Sequence, residues 1–236
     1  WPEHINNSVI EKVEKADVRI VAFGDNLTYS SDDPQKHWPQ LLEDILNKKL
    51  ADDGLEVAVV NTGIPDTGSG QAIKRIERDV SPFNPHVVLF SFAFGDCYVN
   101  GSRDDDADSK DTEKAKEDFE RLCNVLKREK SKLMFWTPNP IFPEDADSSV
   151  GGKDNSRWSE KQKAIEKQLV RHAVYVCETK DIDVLDLESR FEVNGRKSAK
   201  KWMCNWFMHN ETGAHNIATW MADYLLKNEL AEFKAV

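Results

Sequence analysis

Short apolar runs rich in β-branched residues recur along this chain, and between them lie longer stretches in which apolar residues return every three or four positions. That alternation constrains the fold more than any other feature. Nearly continuous apolar runs suit strands buried on both faces of a sheet, and a helix between successive strands allows them to run parallel. Residues 18–23, 56–61, 86–92, 132–136 and 182–185 read as the strands. Trp38, Leu41, Leu42, Ile45, Leu46 and Leu50 share one helical face. So do Ala115, Phe119, Leu122 and Leu126, then Ile165 with Leu169, and finally Ile217, Trp220, Met221, Tyr224 and Leu225. The order β-α-β-α-β-α-β-α-β-α predicts an α/β protein, a three-layer α/β/α sandwich around a mostly parallel five-stranded sheet. A chain of 236 residues carries one sizeable core, so residues 1–236 read as a single domain. Residues 103–117 begin as a charged loop leading into a helix, and residues 142–158 read as a long surface excursion.

The charge balance narrows the partners. A formal net charge of -10 disfavours nucleic acid and anionic membrane surfaces. No apolar stretch approaches the roughly 20 residues that span a bilayer. The four cysteines are far apart and form no zinc-like spacing, so most of them read as buried thiols, and neither a metal nor a cofactor is expected. Four Asn-X-Ser/Thr triplets match the glycosylation sequon, a pattern too short to assign a compartment. Compartment and oligomeric state stay open.

Four blocks carry the chemistry. The first apolar run ends in Gly24-Asp25-Asn26-Leu27-Thr28. The second run ends in Asn61-Thr62-Gly63-Ile64-Pro65-Asp66-Thr67-Gly68, the third in Ala93-Phe94-Gly95-Asp96, and Asn205-Trp206-Phe207-Met208-His209-Asn210 precedes the last helix. In order and position these resemble the signature blocks of the SGNH, or GDSL, hydrolases, a lipase- and esterase-like family. The resemblance covers almost the whole chain and implies the same sandwich fold.

Residue by residue, the resemblance implies a degenerate site. The family's nucleophilic serine falls on Asn26, whose amide has no oxygen that a base can activate. In the second block the glycine that lends an oxyanion N–H is either replaced by Asp66 or deleted. In the third, Ala93 stands at the glycine and Gly95 at the asparagine whose amide donates to the oxyanion. Loss of one such donor typically costs about 2.7 to 4 kcal/mol of transition-state stabilisation. The last block has two registers: without a gap, the family's aspartate falls on Asn205 and its histidine on Met208; aligned on His209, the aspartate falls on Trp206. Both lack the acid that stabilises an imidazolium. His209 reads equally well as a retained base or as a loop histidine beside a helix cap.

Other chemistry is conceivable from the residues. Asp25, Asp66 and Asp96 converging at the strand ends would offer oxygen ligands or acid/base pairs. A turn-fixing role is the commoner fate of such aspartates. Cys97 has no histidine placed by sequence to activate it. Trp202, Trp206 and Phe207 suit stacking on a sugar or plain core packing. The favoured reading is a hydrolase-fold protein that has lost serine esterase activity and serves as a binding or scaffold module, with a small-molecule or carbohydrate ligand at the carboxyl ends of the strands. The alternative is an active carboxylic-ester hydrolase acting on carbohydrate or lipid acyl esters through Asp25, Asp96 and His209.

Overall fold

The computed structural model describes residues 5, 7–29, 36–100, 109–142, 160–193, 195–205, 207–228 and 230. In chain order the elements are α1 (Asn7–Lys15), β1 (Val18–Gly24), α2 (Trp38–Leu50), β2 (Val57–Asn61), α3 (Ser69–Ile73), α4 (Ile76–Asp79), β3 (Val87–Ser91), α5 (Ala93–Asn100), α6 (Ser109–Leu126), β4 (Lys132–Trp136), α7 (Glu160–Thr179), β5 (Asp183–Leu185), α8 (Leu187–Glu192), α9 (Arg196–Ala199) and α10 (Glu211–Asn228). The strands form one five-stranded sheet, order β2-β1-β3-β4-β5, with every pairing parallel.

Side chains alternate between two cores, as the two-residue period of a strand requires. Ile20, Ala22, Val59, Leu89, Met134 and Trp136 face one core. Val21, Phe23, Val60, Val88, Phe90 and Phe135 face the other. The first core is closed by α2 and α10, through Leu42, Leu46 and Leu50 on one helix and Ile217, Met221 and Leu225 on the other. These residues recur at intervals of four, so each helix lays one stripe on the sheet. The second core is closed by Val13 of α1, Ala72 of α3, Ile76 of α4, Phe119 and Leu122 of α6, and Ala173 and Val176 of α7. Truncating a fully buried leucine such as Leu42 costs about 2 to 5 kcal/mol in such a setting. The predicted three-layer sandwich is therefore the observed one.

The strand order also places the site. The chain runs outward from β1 to β2, then returns across β1 to form β3. The loops leaving β1 and β3 thus diverge at the carboxyl edge of adjacent strands, where this architecture opens a crevice.

Three expectations need correcting. Phe142, placed at the start of a surface excursion, is buried, and the Arg196 guanidinium lies 4.6 Å from its ring centroid. The rest of that excursion, like the loop at residues 103–108, lies outside the described residues. The segment between β2 and β3 forms two short helices, α3 and α4, and a further helix, α1, precedes β1; the predicted element order contains no helix before the first strand. No helix among the described residues is long and apolar enough to cross a membrane.

Candidate functional site

β1 delivers Asp25 to the carboxyl edge of the sheet, fully buried. Its Oδ1 accepts the Leu27 N–H at 3.0 Å, and its Oδ2 accepts the Gly95 N–H at 2.7 Å. Its carbonyl also accepts the Thr28 and Tyr29 N–H groups at 3.1 and 2.9 Å. One carboxyl group therefore shapes the turn after β1 and bolts it to the turn after β3. Burial raises its pKa to about 7, against the pull of those N–H donors and of the Arg75 charge.

Asn26 occupies the next position, half-buried, and its carboxamide makes a two-point contact with Asp66. Its Nδ2 donates to Asp66 Oδ1 at 3.1 Å, and its Oδ1 accepts the Asp66 backbone N–H at 2.9 Å. Asp66 has φ 55°, in the left-handed region that favours glycine. A side chain with no nucleophilic atom thus engages the backbone N–H of the second turn.

The third turn has closed against its neighbours. A Cβ added at Gly95 would lie 2.0 Å from the Thr67 carbonyl oxygen and 3.1 Å from Asp25 Cβ. Only glycine fits that approach. Ala93 opens α5 and is buried. Asp96, also buried, accepts the Ser69 N–H at 2.7 Å and the Ser69 hydroxyl at 2.6 Å, and burial raises its pKa to about 7 despite both donors.

The last block packs differently. Asn205 Oδ1 accepts the Phe207 and Met208 N–H groups at 3.0 and 2.7 Å, a tight local turn. Asn210 caps α10 by accepting the Gly213 N–H at 3.0 Å. His209, between them, is buried, and its ring lies 5.1 Å from that of His37, the residue before α2. Among the described residues, neither ring nitrogen of either histidine has a hydrogen-bond partner. Burial lowers the pKa of His37 to about 4; burial and the His37 charge lower that of His209 to about 3. Trp206 lies outside the described residues.

Asn26, Asp66 and Gly95 therefore meet at one corner. Among the described residues no hydrogen bond joins Asn26 to the last block. The link runs instead through Trp38, whose Nε1 donates to the Leu27 carbonyl at 3.0 Å, and through the adjacent His37 to His209. Asp25, Asp66 and Asp96 form no shared ligand set, because each is bound to different donors. No group of three His, Cys, Asp or Glu among the described residues is arranged to hold a metal. Cys97 is buried, and its thiol is pushed well above the usual range by burial and by Glu166 and Asp96, so it is no nucleophile. Trp202 is half-buried in an edge-to-face cluster with Phe191 and Trp220. Phe207 stacks on Phe94 at 5.0 Å.

Two contributors carry little or no signal in the sequence. Arg75, buried, donates to the Gly24 and Thr62 carbonyls and to Asp79, and lies 4.5 Å from the Phe23 ring centroid, so it clamps the ends of β1 and β2 together. Its one signal is a guanidinium in the otherwise helical stretch between Ala72 and Ile76. His37 has none, since nothing in its sequence context pairs it with His209. A cleft of about 300 Å³, lined in part by Ile10, Arg19, Phe83 and Asn84, lies at the opposite, amino end of the strands.

A family model described as GDSL-like Lipase/Acylhydrolase matches residues 20–221. Among solved structures, an acetyl xylan esterase, AlAXEase, is similar over 88% of this chain and 100% of its own, with 18% identity and a TM-score of 0.68. A lipase/acylhydrolase from Enterococcus faecalis is 21% identical over 88% of this chain and 95% of its own, TM-score 0.64. The psychrotrophic esterase EstA from Pseudoalteromonas sp. is 15% identical over 89% and 98%, TM-score 0.63. No curated protein matches the chain in sequence.

Proposed function

This chain belongs to the GDSL-like lipase/acylhydrolase family, and from that membership we propose that it no longer performs serine acyl transfer and keeps the fold as a binding or scaffold module. One observation carries the reading: the carboxamide of Asn26 stands where the nucleophile belongs and engages Asp66 through both its nitrogen and its oxygen. Acyl transfer needs an attacking oxygen and N–H donors held free for the oxyanion. Here the attacking atom is absent and a donor is already engaged.

The backbone supports the register. Asp66 adopts a glycine-like φ, which favours the alignment in which it replaces the oxyanion glycine rather than the one with a deletion. The turn in which Asn205 accepts the Met208 N–H, followed at once by the Asn210 cap, favours Asn205 and Met208 as the family's aspartate and histidine positions. His209 then faces His37 instead of the nucleophile position. Gly95 leaves no room for the missing asparagine, so the third donor cannot return by one substitution. The named esterase and lipase neighbours are compatible with a small-molecule or carbohydrate ligand near the carboxyl ends of the strands.

The test is direct. Purified protein incubated with short-chain aryl esters gives no turnover above buffer, Asn26→Ser alone restores none, and a fluorophosphonate probe forms no adduct. Turnover in the unaltered protein that His209→Ala abolishes would establish an active ester hydrolase and overturn the proposal.

A further inference from the structure

The cleft of about 300 Å³ at the amino end of the strands is as large as the smaller pockets that hold organic ligands, and it lies away from Asn26, Asp66 and Gly95. Its wall is apolar except at Glu14, Arg19 and Asn84. Arg19 is the unusual member. In β1 it shares a face with Val21 and Phe23 of the second core, so a guanidinium stands where the strand pattern calls for an apolar side chain. It is half-buried, and the partners it has among the described residues are neutral. Nε donates to the Asn84 carbonyl at 3.0 Å and Nη1 to the Ala16 carbonyl at 3.3 Å. Nη2 lies 3.3 Å from His86 Nε2. With a neutral imidazole that last contact is no hydrogen bond, because His86 Nδ1 accepts the Arg19 backbone N–H at 3.0 Å and the ring proton is therefore on Nε2.

Two carbonyls thus take two of the guanidinium's N–H groups, and Nη2 finds no acceptor among the described residues. Solvent serves such donors at any surface arginine, but these border an apolar hollow of ligand size. We propose that the cleft binds a small monocarboxylic acid in its ionised form, the carboxylate on Arg19 and an aromatic or short aliphatic body against Ile10, Val13 and Phe83. The planar fork of a guanidinium matches a carboxylate, and the charge on both partners strengthens each hydrogen bond. The Asn84 and Ala16 carbonyls already hold the Arg19 side chain in place, so little of its freedom is lost when the ligand arrives. Glu14 in the same wall and the net charge of -10 oppose a second negative charge, which selects a monocarboxylate over a dicarboxylate or a phosphate. The site stands independently of the fate of the ester chemistry, since it uses neither Asn26 nor Asp66.

Full-length protein is titrated with sodium benzoate, and separately with sodium hexanoate, by calorimetry and amide NMR. The expected result is one saturable site per chain, with amide shifts centred on Ile10, Arg19 and Asn84. Benzyl alcohol, which keeps the ring and loses the charge, binds at least about 10-fold more weakly than benzoate, as do succinate and inorganic phosphate. Arg19→Gln weakens benzoate binding by at least about 10-fold. His215→Gln, on the exposed face of α10, leaves it unchanged. Should Arg19→Gln fail to fold, Ile10→Trp, which fills the cleft from a half-buried position, abolishes benzoate binding in its place. No saturable binding of either acid, shifts centred on Asn26 and Gly95 at the other end of the strands, equal affinity for benzyl alcohol, or benzoate binding that survives the substitution in the cleft would overturn the proposal.

Discussion

Two neighbouring regions at the carboxyl edge of the sheet bury ionisable groups in opposite ways. At the corner joining β1, β2 and β3, Asp25, Asp96 and Arg75 are all buried; both carboxyl groups and the two terminal nitrogens of the guanidinium have hydrogen-bond partners. Between α2 and the last block, the ring nitrogens of His37 and His209 are buried with none among the described residues. The contrast separates groups held by partners from groups that are only desolvated. A buried ionisable group with hydrogen-bond partners in place locks loops together, and here the turns lie so close that a Cβ at Gly95 would meet the Thr67 carbonyl oxygen at 2.0 Å. An imidazole pair whose nitrogens are buried without partners is instead held in the neutral form by burial alone.

The most severe way to break the contrast is to remove the corner's cation. Arg75→Met frees the Gly24 and Thr62 carbonyls and takes one partner from buried Asp79, which leaves a buried charge less compensated. We expect a loss of about 3 to 5 kcal/mol, read from urea unfolding. Next is Gly95→Ala. With Thr67 oxygen 2.0 Å from the added carbon, backbone must move, at about 1 to 3 kcal/mol or more. A variant as stable as the parent would show that the corner is not closed.

The dependence of stability on pH sharpens the contrast, because the two regions respond in opposite directions. His37 and His209 have folded pKa values of about 4 and about 3, below the ordinary 6.5. Their neutral forms therefore contribute stability above pH 6.5 that is lost as pH falls toward 4. Asp25 and Asp96 are raised from 3.8 to about 7, so their contribution is complete below pH 3.8 and is lost as pH rises through 7. A tenfold difference in proton affinity between the folded and unfolded chain corresponds to about 1.4 kcal/mol. Melting temperatures between pH 4 and 8 should show His209→Gln flattening the acid side and Asp25→Asn flattening the neutral side. If both variants retain the parent's profile, the assignment of the two regions fails.

The smallest effect is expected at Asp66, which is exposed. Asp66→Gly relieves a left-handed residue but gives up the Asn26 contact, so stability should change by less than about 1 kcal/mol. Asp66→Val, which cannot adopt that φ cheaply, should cost about 1 to 2 kcal/mol. Equal stability of the two variants, measured by thermal unfolding, would mean that the turn does not require a glycine-like residue.

Most of the fold is legible in the sequence. The run Lys132–Trp136 coincides with β4 residue for residue, and the other strands differ from their runs by one residue at one or both ends, because hydrophobic runs mark burial on both sheet faces. The stripe Trp38, Leu42, Leu46, Leu50 spans α2 in full. Helix α1 is hard to see although Val9, Ile10 and Val13 carry its spacing, since nine residues beginning among polar asparagines give a weak periodic signal. Helix α5 is hidden because its first turn coincides with the third block and reads as a loop. At the site, the family resemblance points to Asn26, Gly95 and Asn205 as departures, but the sequence does not show what these residues contact.

What the amino-acid order determined alone is the parallel sandwich and the absence of a nucleophilic oxygen at position 26. Both are local properties: hydrophobic period sets strands and helices, and a carboxamide is a carboxamide in any fold. Only the tertiary structure decided that Asn26 turns onto Asp66, that Thr67 occupies the space a side chain at 95 would need, and that two histidines 172 positions apart in number, 37 and 209, lie ring to ring. Those outcomes depend on which loops the crossing of β1 between β2 and β3 brings together, and on α2 and α10 sharing one core, a long-range packing choice that no local pattern of residues encodes.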